Sequence, residues 1–194
     1  MPDNKIMYGL RNVHYAIVTE TVNDGVTTSS YGTVKAWPGA VNISLSPEGS
    51  QDPFYADDST YAILNSNSGY TGTFESAVIP EDVLKAVLGQ TVDEDTGLVC
   101  ENKDDAIKSI ALMFEFQGDA KKRRFVFYRV NLARPEVASE TIADSIAPVT
   151  QSVDLTATPR PDDGLIKAYC NEGDTSYASF YDAVVVPSAE SAGS

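Results

Sequence analysis

Only a few residues in this 194-residue chain could do chemistry, because it contains a single histidine, His14. A Ser-His-Asp or Cys-His arrangement would need that imidazole as its base. His14 sits between Val13 and Tyr15 in a strand-like stretch, where a structural role is the simpler reading. Carboxylates are plentiful, and in so acidic a chain their pairing says little about catalysis. The run Asp93-Glu94-Asp95-Thr96-Gly97 superficially looks like a calcium loop. Its glycine falls one position early and no acidic residue stands at the required distance beyond it on a helix, so a solvated loop is expected. No glycine-rich phosphate cradle follows a strand. Cys100 and Cys170 lie far apart in no metal-spaced motif. They could pair, but two thiols make no disulfide framework, and a reducing compartment is the simpler assumption. The expectation is a non-enzyme with no catalytic, cofactor-binding or metal-ligating residues.

Two segments invite a role in association. Lys121-Lys122-Arg123-Arg124 is the one basic run in a chain of formal charge −14, with 28 acidic and 14 basic residues. It reads either as a solvated hairpin tip or as a contact with an acidic surface on a neighbouring copy. The segment Pro47 to Asp58 reads as a loop with two prolines, a glycine and four acidic residues around the pair Phe54-Tyr55. Two aromatic side chains are costly to leave in water, so they pack either on their own domain or on another subunit. In the second case Pro47, Phe54, Tyr55, Asp57 and Asp58 form a stacking loop that orders only when a neighbour covers it.

The elements that must position these segments are mostly strands. Residues 12–19, 31–37, 60–64, 70–79, 107–117, 124–133, 149–158 and 165–170 read as strands, with a further one at 178–186. Val41, Ile43 and Leu45 alternate with polar residues at the period of a half-buried strand. Asn67-Ser68-Gly69 is expected to turn 60–64 into 70–79, and residues 118–123 to turn 107–117 into 124–133. One helix is expected over 80–88, with Pro80 at its first position, Glu81 and Asp82 in the first turn and Gly89 as its stop. The fold class is therefore all-β, a two-sheet antiparallel sandwich or barrel with one short flanking α-helix. The hydrophobic share, 42%, suits a globular chain. No apolar run approaches the ~20 residues of a membrane span, and no signal-peptide pattern is visible at residues 1–5. So negative a chain gains nothing from counterion release on DNA. Its charge serves solubility, or a surface that faces a polyanion without holding it.

An ordered set of short stretches resembles the phage major tail proteins of the phi13 type. It begins with Tyr8-Gly9-Leu10-Arg11-Asn12-Val13-His14-Tyr15-Ala16 and continues with Pro38 to Asn42, Leu45 to Gly49 and Phe54-Tyr55-Ala56-Asp57-Asp58. Asn67 to Gly72, Ala111 to Phe116 with the basic turn after it, and Thr156 to Pro161 complete it. The resemblance reaches to about residue 168. It implies a tail-tube fold over residues 1–186, with 187–194 expected to be a disordered tail. It also implies six-fold rings stacked into the hollow tube of a long, non-contractile virion tail, assembled in the host cytoplasm. DNA would pass the lumen without specific binding, no membrane would be involved, and tape-measure, tail terminator and distal tail proteins would be partners. The alternative from another class is a virion decoration or receptor-binding β-domain.

Overall fold

The computed structural model of the protein describes residues 7–56, 58–137 and 149–187. β1 (Leu10–Asn23) and β2 (Val26–Tyr31) form a hairpin with Asn23 opposite Val26, leaving Asp24 and Gly25 as a two-residue turn. Both turn residues have positive φ, 49° and 79°, as a two-residue turn matched to the strand twist requires. The sequence ends the first strand at Thr19, whereas β1 runs four residues further. Residues 19–23 are exposed, so no apolar alternation marks them. The strand expected at 31–37 is only β3 (Lys35–Ala36), paired with His14 and Tyr15 of β1.

β4 (Ala40–Glu48) and β7 (Gly69–Ser76) pair along their whole length, and β5 (Gln51–Ala56) and β6 (Ser59–Asn65) pair beyond them. Backbone hydrogen bonds from Ser68 N to Glu48 O and from Ser66 N to Ser50 O, each 2.9 Å, join the two pairs into one ribbon. Gly49 sits at the joint, where a Cβ would run into the Ser66 carbonyl. Two sequence expectations are corrected here. Pro47 to Asp58 is not an unpaired loop: Pro47 belongs to β4, and Phe54 and Tyr55 belong to β5. Residues 60–64 and 70–79 are not partners across Asn67–Gly69, because each strand pairs with the other arm of the ribbon.

Pro80, with φ −60° and ψ 141°, caps α1 (Glu81–Ala86) rather than opening it, and Lys85 pairs with Glu81 at 2.8 Å. Val83, Val87 and Leu88 are buried, three of the four apolar residues, with Leu84, that recur at helical spacing through 83–88. β8 (Thr91–Val92) and β9 (Val99–Cys100) form a small hairpin around Asp93–Gly97. Asp93 Oδ1 accepts hydrogen bonds there from the N–H groups of Asp95 and Thr96, at 2.9 and 3.0 Å. β10 (Ile110–Phe116) and β11 (Arg124–Leu132) pair as expected, with Phe114 opposite Phe125. β12 (Gln151–Ala157) and β13 (Lys167–Cys170) share the other edge of β11, β12 on its C-terminal half and β13 on its N-terminal half.

The class is all-β and antiparallel, with one short helix. The two layers belong to a single nine-stranded sheet ordered β2-β1-β10-β11-β12-β7-β4, with β3 and β13 attached at the sides. This sheet curls so that Tyr15, Leu112 and Val130 from one half share a core with Phe74, Val153 and Leu155 from the other, with Trp37, and with the buried side chains of the helix. Trp37 bridges the halves: its ring meets both Tyr15 and Phe74 edge-on, and its Nε1 donates to Ser76 Oγ at 3.3 Å. The opposite face of β10 and β11 is covered too. Met113, Val126, Tyr128 and Cys170 pack there with Phe180, Tyr177, Tyr181 and Val185. The strand expected at 178–186 is therefore absent; that segment is a series of turns whose apolar side chains cap the sheet. The expected disordered tail lies, apart from Pro187, outside the described residues.

Candidate functional site

The distal half of the ribbon, β5–β6, stands apart from the core. Every side chain described from Gln51 to Tyr55 and from Asp58 to Ser68 is exposed. Phe54, Tyr55, Tyr61, Ile63 and Leu64 are all more than half accessible to water. Each such side chain contributes roughly 1.5–3 kcal/mol when fully taken out of water. Five on one short hairpin, spread over its two faces, are more than the single scattered apolar residues of an ordinary surface and suit a protein contact. Phe54 and Tyr61 meet edge-on, with centroids 6.4 Å apart, so these two rings are organised before any partner arrives. Residues 49–66 include Asp52, Asp57 and Asp58 and no lysine or arginine.

Of the residues singled out in the sequence, Phe54 and Tyr55 are thus on the exposed arm. Pro47 lies at its base, paired with Tyr70. Asp58 forms the tip turn with φ 57°, and Asp57 lies outside the described residues. The sequence reading missed Tyr61, Ile63 and Leu64. The β5/β6 register places Ile63 opposite Pro53 and Ala62 opposite Phe54. Treating 47–58 as unpaired separated residues that the ribbon brings together.

The basic run has a different character. Lys122 pairs with Glu172 at 2.6 Å and Arg123 with Asp119 at 2.6 Å. Arg124 Nε donates to Glu115 at 3.1 Å, another of its nitrogens reaches the Tyr177 carbonyl, and its guanidinium lies 3.9 Å over the Tyr177 ring and 4.7 Å over that of Tyr181. Glu115 is buried and also accepts from Arg11 at 2.8 Å and Asn12 at 2.7 Å. Asn12 reaches it because a bulge in β1 holds that residue at φ 51°. Three of the four cations are therefore paired inside the chain, and of the four only Lys121 makes no ion pair among the described residues. Burial pushes the Asp119 carboxyl up, but hydrogen bonds from the Arg123 guanidinium and from the Lys121 and Arg123 amides outweigh it, and its pKa is lowered.

His14 is half-buried, stacked on Tyr181 at 4.4 Å, with Nδ1 donating to Asn12 O at 2.8 Å. Cys100 and Cys170 are free thiols, and burial pushes that of Cys170 up. Among the described residues no group of His, Cys, Asp and Glu is placed to hold a metal ion, and no helix is long and apolar enough to cross a membrane.

Fold and surface together define an all-β protein with a projecting acidic and apolar arm. Neither a family model nor a curated protein matches the chain. A chain of a solved assembly, described as "Cryo-EM structure of the anti-feeding prophage (AFP) baseplate, 6-fold symmetrised", is similar at a TM-score of 0.42 and 8% identity, over 90% of this chain and 100% of that one.

Proposed function

We propose that this chain is a self-assembling structural subunit of a phage tail, the tube protein of a long-tailed, non-contractile phage. Residues 1–186 would form one tail-tube domain, stacked as hexameric rings. The observation that carries the reading is the β5–β6 arm: a paired, water-exposed hairpin with five accessible apolar side chains, none of which belongs to the domain's core. The ordered sequence resemblance supports it independently. Head-to-tail contacts that close make a ring, and ring faces that match make a filament. The arm is the stacking element, with Phe54 and Tyr55 as anchors and Asp52 and Asp58 keeping the free subunit soluble. Lys121 is the cation of the basic run left for a neighbour. A chain of charge −14, repeated around a lumen, lets DNA slide through without being held. The tape-measure, terminator and distal tail proteins belong to this proposal as partners, and the virion tail as its location.

Sedimentation of the Phe54→Ala/Tyr55→Ala double variant tests it. The variant should retain the wild-type circular dichroism and melting temperature and fail to form large species at concentrations where the wild type does. Normal assembly would show that stacking contacts lie elsewhere. An unfolded variant would show that the pair belongs to the core. A wild type that stays monomeric at every concentration would favour a decoration or receptor-binding module.

A further inference from the structure

Resting on the tube reading and deepening it, we propose that the arm of one copy docks in a specific aromatic groove of the next. The acceptor is the gap where the curled sheet fails to close, between β4 on one side and β10, β11 and β13 on the other. Ile43 and Leu45, Tyr70, and the four rings of Phe114, Phe116, Phe125 and Phe127 line it, enclosing about 450 Å³. A cavity of that size accepts a drug-sized molecule, hence one or two aromatic side chains. Its rings already pack on one another: Phe114 stacks with Phe125 and Phe127 at 5.6 and 6.0 Å, and Phe116 meets Phe125 edge-on at 5.7 Å. Phe116, Phe125, Ile43, Leu45 and Tyr70 remain only partly buried. An inserted ring would therefore find further aromatic edges and faces to meet.

Charge selects the occupant. Lys167 stands at the groove with Nζ 4.5 Å from the Tyr70 ring centroid, exposed, and with no ion pair among the described residues. The arm carries aspartates and no base within residues 49–66, so it brings to this cation both the apolar side chains the groove lacks and the opposite charge. Geometry excludes the arm of the same chain. Ile43, Leu45 and Tyr70 belong to the ribbon's own base, and Phe54 lies six residues beyond Glu48, about 20 Å farther out along the strand. The paired ribbon carries its tip away from its own root, so the tip meets the groove of another copy. Each copy then offers a tip and a groove separated by the arm's length, a heterologous contact of the kind that builds a ring where the rotation closes and propagates along an axis where it does not.

The test is photo-cross-linking with benzoylphenylalanine placed at Phe116, in a mixture of isotope-heavy and isotope-light full chains at assembling concentration. Mass mapping reads which residues are captured and whether they come from the same chain. Residues 54–64 of a different copy are expected as the principal partner. Capture of residues 1–6 of the same chain, or of any surface other than the arm, would overturn the groove assignment, as would an absence of capture. If tubes form in the same mixture without that cross-link, the tube reading stands and the groove alone fails. If no large species form at all, the tube reading fails as well.

Discussion

The basic run separates sharply into structural and free residues, and substitution of Arg124 measures the division. Arg124→Ala leaves Glu115, whose side chain is 4% exposed, with Asn12, the hydroxyl of Tyr181 and an Arg11 that is itself 49% exposed. Removing one partner of a buried pair costs about 3–5 kcal/mol because the other charge is left uncompensated. Arg11 and Asn12 still hydrogen-bond Glu115, which places the expected loss near the lower end, about 3 kcal/mol. The lost contacts to the Tyr177 carbonyl and to the rings of Tyr177 and Tyr181 act in the same direction, since they tie residues 177–185 to the sheet. For a chain of this size, about 3 kcal/mol lowers the melting temperature by roughly 6–12 °C. Differential scanning calorimetry is the assay, with Lys121→Ala as the comparison, expected within about 0.5 kcal/mol of wild type. The Glu115→Ala/Arg124→Ala double variant should cost less than the two single changes added together, because each single change strands a charge that the double removes. Equal, small effects of Arg124→Ala and Lys121→Ala would show that Arg124 holds nothing together and that the whole run is solvated.

Two further outcomes follow from the same geometry. Asp162, hydrogen-bonded by the Arg160 guanidinium, and Asp119 both have carboxyl pKa values below the ordinary one. Their contribution is therefore present above the unfolded value of about 3.9 and is lost as pH falls below it. Thermal melts from pH 6 down to pH 2 should show Asp162→Asn with a shallower acid decline than wild type, and identical slopes would contradict that linkage. Gly72→Ala should prevent folding or lower the melting temperature drastically, because a Cβ there would drive into the Ser44 carbonyl across the β4–β7 ladder. A variant with a wild-type melt would mean the strands pair in another register.

The sequence made legible what was buried and regular. Ile43 and Leu45 and the helix stripe Val83–Leu88 turn one face to the core, while the aromatic arms at 110–116 and 124–132 are buried on both faces. Val41 falls out of its alternation, 49% exposed, because a bulge between Ala40 and Asn42 brings Ala40 to the core instead. Elements exposed on both sides were less legible: residues 60–64 read as a strand and are β6, but residues 19–23 of β1 and the whole of β5 carry no inside to alternate against. The Asp24-Gly25 dipeptide held the hairpin signal that the polar flanks obscured. In the arm, Pro53 and the irregularity between Phe54 and Tyr55 broke the period of two, so the aromatic pair was recognised but its strand and partners were not. The groove was half visible: Phe114 with Phe116 and Phe125 with Phe127 alternate toward one face. That the sheet stops short of closing over them is a property of the whole fold. Lys122, Arg123 and Arg124 look free in sequence because their partners Glu172, Asp119 and Glu115 are matched to them only by the turn and the ladder.

Electron microscopy of the purified protein, stained at high concentration beside the Phe54→Ala/Tyr55→Ala variant, tests the central claim most directly. Hollow tubes of stacked six-fold rings are expected for the wild type, and only isolated subunits or rings for the variant. Wild-type protein that remains dispersed, or a variant that forms the same tubes, would contradict it.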